Sequence, residues 1–152
     1  MKLKDLLKNL SYTFSGDLNT EVADLVYDSR KAGPGKAFVC LSGTRADGHS
    51  YAKAAVDAGC CAVIAEHEVE TGGAPLVIVE NTRPALAELS AALFGRPVWD
   101  ISMHINVDAA SLIGTDTLKG GEVCFREGPV CQCARLGGFG ILDEVNMAKN
   151  EA

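Results

Sequence analysis

The chain has 152 residues, a formal net charge of −6 and 47% hydrophobic residues. This length and apolar content suffice for one ordinary domain or two small ones with a packed core, and they exclude disorder throughout. The negative charge argues against a surface that binds nucleic acid or an anionic membrane, where a basic face is expected.

No apolar segment typical of export or of membrane anchoring is present. No hydrophobic signal region follows Met1, and no run approaches the roughly 18 apolar residues of a membrane span. We therefore expect a cytoplasmic protein without a membrane partner, whose six cysteines are reduced thiols. A zinc site could draw on Cys124, Cys131, Cys133 and His104, but their spacing matches no usual pattern, so we expect no metal site.

Helices and strands alternate in the prediction for the first 94 residues. Leucines at helical spacing indicate an amphipathic helix over 3–10, and apolar runs indicate the strands. The strands are predicted at 22–27, 37–41, 60–65 and 76–79, and further helices at 51–58, with Ser50 as N-cap, and from Asn81 or Thr82 to Phe94. The alternation predicts an α/β fold, with a small mixed or partly parallel sheet flanked by helices.

Polar loops follow the first two predicted strands. The turn Gly33-Pro34-Gly35 is expected to reverse the chain between these strands, with a positive φ at Gly35, so that both loops lie on one side of the sheet. Their hydroxyl, guanidinium and amide groups suit an anionic ligand. Asp28 and Arg30 are expected to brace the first loop through each other.

Two histidine-containing stretches are interpreted as structural. Asp47-Gly48-His49 indicates a turn into the following helix, and His49 is not expected to act as a general base because no carboxylate at motif spacing would orient it. The cluster 66–70 has three carboxylates around His67, but nothing fixes them there, so a solvated loop is favoured over a metal site.

Residues 1–98 contain a series of motifs: Asp28-Ser29-Arg30, the Pro34-Gly35 turn, a strand containing Phe38, and Gly43 followed by Asp47-Gly48-His49. This series resembles the N-terminal domain of the Mur ligases, which add amino acids to UDP-N-acetylmuramoyl peptides in peptidoglycan synthesis. Segments 1–7 and 79–87 resemble the MurE type, which attaches the third peptide residue. The MurF type shares the Asp-Ser-Arg and Asp-Gly-His features.

The resemblance implies that this domain binds the UDP end of the substrate. Matching residue by residue, it implicates Tyr27, Ser29, Thr44, Arg45 and Ala46. Hydroxyls can hydrogen-bond to uracil or phosphate, an arginine fork suits a diphosphate, and a tyrosine ring can stack on uracil. The alternatives are that Ser29 only caps a turn, that Arg45 is a solvated charge and that Tyr27 simply packs.

The segments 106–114, 125–130 and 138–146 form a second pattern, whose most specific part is the pair Asp143-Glu144 after an apolar run. With this pattern, residues from about 103 to 152 resemble a different family, the MoxR-type AAA+ ATPases around their Walker B strand. There Asp143 would bind magnesium and Glu144 would activate water, but both roles need a bound nucleotide. The chain contains no Gly-x-x-x-x-Gly-Lys-Ser/Thr phosphate loop. We therefore interpret the pair as carboxylates without a nucleotide, and expect no cofactor here, although the intact ligase family uses ATP and Mg²⁺.

Two domains follow from these patterns: a UDP-sugar-binding domain over 1–98, and over 99–152 an incomplete α/β extension of about two strands and a helix. Three hypotheses compete. The chain is a fragment of a MurE-type ligase, inactive alone and without catalytic residues; or a non-catalytic binding module of the same fold; or an AAA+ ATPase fragment. Oligomeric state stays open.

Overall fold

The fold is described from a computed structural model, which covers residues 1–43, 46–103, 106–143 and 145. The chain divides into two compact units, Met1–Phe94 and Gly95–Ala152. Among the described residues, no helix combines the length and the apolar character needed to cross a bilayer.

The N-terminal unit is built on a five-stranded sheet of order β1-β5-β4-β3-β2. The strands are β1 (Tyr12–Ser15), β2 (Asp24–Val26), β3 (Lys36–Val39), β4 (Ala62–Ala65) and β5 (Leu76–Val79). Strands β2 to β5 run parallel to one another, and β1 pairs antiparallel with β5. The mixed sheet that the sequence predicted is therefore confirmed.

Helices cover both faces of this sheet, because the strand residues alternate in direction and are apolar on both sides. Ala37 and Val39 of β3 belong to the same core cluster as the leucines of α1 (Leu3–Leu6) and of α3 (Thr82–Phe94). Phe38 belongs to the other cluster, together with alanines of α2 (Ala52–Asp57). Each face thus has its own core, and the sheet separates them.

The predicted helix bounds need two corrections. The first helix ends at Leu6 instead of Leu10, because the chain turns at Leu7 to reach β1, a short strand that was not predicted. Ser50 is not the N-cap of α2, which begins at Ala52 with no side-chain cap. A 3-10 turn over Gly48–Tyr51 precedes α2 instead.

The connection between β2 and β3 differs from a simple reversal. The two strands are parallel, with Asp24 opposite Lys36 and Val26 opposite Phe38. The chain therefore leaves one edge of the sheet, forms a 3-10 turn over Ser29–Lys31 and returns to the opposite edge before β3 begins. Gly35 has φ +74°, which confirms the predicted positive φ.

The C-terminal unit contains more regular structure than the expected two strands and one helix. Its described part has strands β6 (Val98–Ser102), β7 (Gly114–Lys119), β8 (Glu122–Glu127) and β9 (Phe139–Asp143), and helices α4 (Ala109–Ile113) and α5 (Pro129–Leu136). β6 and β9 pair in parallel, and β7 and β8 form an antiparallel hairpin. Its core cluster is small: Ile101, Met103 and Val107, with Leu112 packed against them.

Candidate functional site

The carboxyl ends of β2, β3, β4 and β5 share one edge of the sheet because these strands are parallel. Polar segments leave each of these ends, beginning at Tyr27, Ser42, Glu66 and Glu80. In open α/β sheets, ligands bind outside the carboxyl ends of the strands. This edge is the candidate site.

The loop after β2 is held by an ion pair between neighbouring residues. Arg30 donates from Nε to Asp28 Oδ1 at 2.9 Å and from Nη2 to Oδ2 at 2.7 Å, and its backbone N–H donates to Oδ1 at 3.1 Å. These hydrogen bonds lower the pKa of the Asp28 carboxyl to about 2. The predicted bracing of this loop is confirmed.

Two of the proposed ligand contacts flank Asp28. Tyr27 is 61% exposed, so its ring is not part of the core and is accessible to a planar ligand. Ser29 is half-buried and begins the 3-10 turn, where its carbonyl accepts from Ala32 N at 3.1 Å. Both positions lie on the candidate edge, and their contact with a ligand stays a prediction.

The described residues on either side of 44–45, in the loop after β3, are hydrogen-bonded to each other. A β-bridge joins Ser42 to Asp47, and Gly43 N donates to Ala46 O at 3.1 Å. Ala46 is exposed at this turn. Thr44 and Arg45, the other two predicted ligand contacts here, lie outside the described residues.

Gly48 directly follows this loop, at a point where the neighbouring backbone leaves no space for a side chain. Its N–H donates to Leu41 O at 2.9 Å. A Cβ at Gly48 would lie 2.6 Å from Leu41 N and 2.8 Å from Leu41 O. The glycine therefore allows the two ends of the loop to approach each other closely.

His49 is buried and oriented by a carboxylate, which the sequence analysis did not anticipate. Its side chain is 3% exposed, and Nδ1 lies 2.6 Å from Asp47 Oδ1. Nε2 accepts a hydrogen bond of 3.0 Å from the backbone N–H of Glu66. Because a backbone N–H can only donate, Nε2 carries no hydrogen, and the ring is the neutral tautomer that donates from Nδ1 to Asp47. The two-residue spacing of Asp47 and His49 was the available signal.

Glu66 also departs from the solvated loop that was predicted for residues 66–70. Its Oε1 accepts from Thr82 N at 2.9 Å and from Thr82 Oγ1 at 2.8 Å, and its Oε2 accepts from Ser42 Oγ at 3.2 Å. Hydrogen bonds from Thr82, together with the one from Ser42, lower the pKa of this carboxyl. Glu66 therefore links three segments of the candidate edge.

No group of three or more His, Cys, Asp or Glu side chains suited to a metal ion occurs within the described ranges. His67 instead stacks on His49, with ring centroids 4.2 Å apart. His104, which the zinc alternative needed, lies outside those ranges.

A groove of about 510 Å³ adjoins the same edge beside the start of α3. Its lining is Leu10, Ser11, Val79, Glu80, Asn81, Pro84 and Ala85. None of the predicted ligand contacts that the structure describes lines this groove. The groove therefore does not bring these residues together around one ligand.

The first residue of the predicted Walker B pair lies at the end of β9. Asp143 is the last residue of that strand, opposite Ser102 of β6. Glu144 lies outside the described residues. The proposed roles of these carboxylates toward a nucleotide stay predictions.

Comparison with known proteins gives a family match inside the N-terminal unit. Residues 21–94 match the model described as Mur ligase family, catalytic domain. A UDP-N-acetylmuramoyl-L-alanyl-D-glutamate--2,6-diaminopimelate ligase of Syntrophomonas wolfei is 46% identical over 99 residues, covering 64% of this chain and 20% of the relative. The ligase of the same name from Bacillus licheniformis is 38% identical over 102 residues, covering 67% and 20%. The chain thus spans about 20% of the length of these relatives.

Solved structures of ligases also match this chain. MurF from Acinetobacter baumannii matches with a TM-score of 0.56 and 25% identity, over 70% of this chain and 24% of that one. A structure of UDP-N-acetylmuramoyl-L-alanyl-D-glutamate--2,6-diaminopimelate ligase matches with a TM-score of 0.51 over 93% of this chain and 35% of that one, at 13% identity, which shows the fold alone. The MoxR-type resemblance is not supported by these comparisons.

Proposed function

We propose that this chain, whose residues 21–94 match the Mur ligase family, holds the UDP end of a UDP-N-acetylmuramoyl peptide for a ligase of peptidoglycan synthesis. We propose that this ligase is of the MurE type, because the names of the similar ligases specify UDP-N-acetylmuramoyl-L-alanyl-D-glutamate. Such a ligase would act in the cytoplasm.

The observation that carries the proposal is the pair of polar loops at the carboxyl ends of β2 and β3. Parallel pairing of these neighbouring strands brings the loop at Asp28 and the loop at Ser42 to one edge. Hydrogen bonds hold the described parts of both loops: Arg30 to Asp28 in the first loop, and the bridge between Ser42 and Asp47 in the second. Backbone that is already held in place loses less conformational entropy when a ligand binds.

The chemistry of each residue gives it a role in this site. Tyr27 is exposed and offers a ring face to uracil, while the Ser29 hydroxyl can donate to and accept from the base or the phosphates. Arg45 would place a planar, charged fork against the diphosphate, beside the Thr44 hydroxyl and the Ala46 backbone.

The residues present do not fit ATP and Mg²⁺, which the intact family enzyme uses. No phosphate-loop sequence occurs in the chain, and of the Gly35-Lys36 pair, Gly35 ends the turn before β3 and Lys36 is the first residue of that strand. We therefore propose substrate binding without turnover for this chain.

An amide NMR titration of the isotopically labelled full chain with UDP-N-acetylmuramoyl-L-alanyl-D-glutamate tests the proposal. We expect shifts at amides around Ser29 and Ala46 in the wild type, and their loss in the double variant Ser29→Ala, Arg45→Ala. Lys31→Ala is the matched control, because it removes one exposed cation of the first loop that is not a proposed ligand contact and should keep the shifts.

Absence of any shift in a well-folded wild-type chain would contradict the proposal. The same fold would then serve as a non-catalytic interaction module. Shifts that persist unchanged in the double variant would show that the Ser29 hydroxyl and the Arg45 side chain do not hold the ligand, which would contradict their proposed roles.

A further inference from the structure

We propose that Glu66 is a positioning residue, which holds both ends of the loop Leu41–Asp47 in the geometry that receives the ligand. The inference rests on the proposed function, because that loop carries three of the proposed ligand contacts. Glu66 itself lies after β4, outside the motifs of the resemblance.

The side chain of Glu66 holds the first end of the loop. Its Oε2 accepts from Ser42 Oγ at 3.2 Å, while its Oε1 accepts two hydrogen bonds, of 2.9 and 2.8 Å, from Thr82. Thr82 is fully buried and is the first residue of α3. The carboxylate thus links Ser42 to the buried first residue of α3.

The main chain of Glu66 holds the other end. Its N–H donates to His49 Nε2 at 3.0 Å, which fixes the hydrogen of the ring on Nδ1, the atom that lies 2.6 Å from Asp47 Oδ1. Asp47 is the last residue of the loop and also accepts from His49 N at 3.0 Å. One residue therefore anchors the loop at Ser42 directly and at Asp47 through His49.

A second contact supports the same arrangement. Arg83, the residue after Thr82, donates from Nη2 to the backbone carbonyl of Ser42 at 2.9 Å. Removal of the Glu66 carboxylate breaks the bond from Ser42 Oγ, so we expect the loop to loosen. Because the bond from Arg83 leaves Ser42 attached to α3, we expect the fold to persist. Affinity falls in proportion to the fraction of molecules whose loop is in the binding geometry.

Three variants separate positioning from charge and from general stability. Glu66→Ala removes the acceptor of all three side-chain bonds. In Glu66→Gln the amide oxygen still accepts from Thr82 and the amide nitrogen can donate to Ser42 Oγ, so the geometry is kept without the charge. Glu68→Ala is the matched control, because Glu68 is an exposed glutamate in the same loop.

Two measurements on the full chain test the inference: the dissociation constant for UDP-N-acetylmuramoyl-L-alanyl-D-glutamate by calorimetry, and NMR of the free protein. We expect Glu66→Ala to weaken binding by about tenfold, the loss for a loop that is competent in about one molecule in ten. Glu66→Gln and Glu68→Ala should stay within about twofold of the wild type, and all variants should unfold cooperatively. Wild-type affinity in Glu66→Ala would overturn the inference, as would an equal loss in Glu66→Gln.

The NMR measurement keeps the inference testable if the proposed function fails. If neither the wild type nor any variant binds the ligand, the NMR signals of the free protein test the inference. The signals to compare are those of the Gly43 and Ala46 amides and of the His49 ring nitrogens. Displaced or broadened signals in Glu66→Ala, restored in Glu66→Gln, would support positioning of the loop. Signals that stay at their wild-type positions in Glu66→Ala would refute it.

Discussion

Asp28 and Arg30 show what is predictable at the scale of single residues. They are two positions apart, and a short acidic side chain at a strand end commonly bonds the backbone that follows it. The structure adds that the Arg30 side chain completes this bond from Nε and Nη2. Local spacing was therefore sufficient to predict the contact.

The Asp28 carboxyl should stay ionised in acid in which ordinary aspartates are protonated. Arg30 lowers its pKa from 3.8 to about 2, so the loop contact is complete above pH 3.8 and is lost as the pH falls through 2. We expect the carboxyl ¹³C resonance of Asp28 to titrate with a midpoint near 2, and to return toward 3.8 in Arg30→Gln. A wild-type midpoint near 4 would show that the pair does not form in solution.

Glu66 and His49 could not be predicted in the same way. Glu66 bonds Thr82 and His49 across separations of 16 and 17 residues, and Ser42 across 24. Such contacts depend on the order of the strands in the sheet, which no local pattern specifies. The composition of residues 66–70 therefore indicated only a charged, solvated loop.

At the scale of elements, strands formed by apolar runs were predictable, and the mostly exposed strand β1 was not. β4 and β5 are short apolar runs, and the predicted strands overlap them. β1 is mostly exposed and joins the sheet only by pairing with β5, more than sixty residues later in the chain. The parallel direction of β2 and β3 likewise results from long-range packing, and their connecting turn suggested a reversal.

The close approach at Gly48 gives a prediction for the loop after β3. Gly48→Ala would place a Cβ 2.6 Å from Leu41 N, so the backbone must move, and we expect a loss of about 1–3 kcal/mol in the free energy of unfolding. Urea denaturation measures this loss.

Gly33→Ala is the matched control in the neighbouring turn. No heavy atom lies within 4 Å of a Cβ at Gly33, and its φ is not among the positive ones, so we expect unchanged or slightly higher stability. Equal stability of the two variants would mean that the Leu41 and Gly48 backbones are not in contact.

At the scale of the whole molecule, the two units differ in the size of their cores and in their similarity to known families. The N-terminal unit combines a two-faced core, a mixed sheet and the family match over 21–94. The described part of the C-terminal unit has a parallel strand pair, a hairpin and a small core cluster, and its MoxR-type resemblance gains no support. The predicted function therefore depends on the N-terminal unit.

Saturation-transfer NMR on the ligand tests the central claim most directly, because it shows which end of the ligand contacts the protein. With the full chain and excess UDP-N-acetylmuramoyl-L-alanyl-D-glutamate, we expect the strongest saturation on the uracil and ribose protons, weak saturation on the peptide protons, and competition by UDP alone. Saturation confined to the peptide end, or no transfer from a folded chain, would contradict the account.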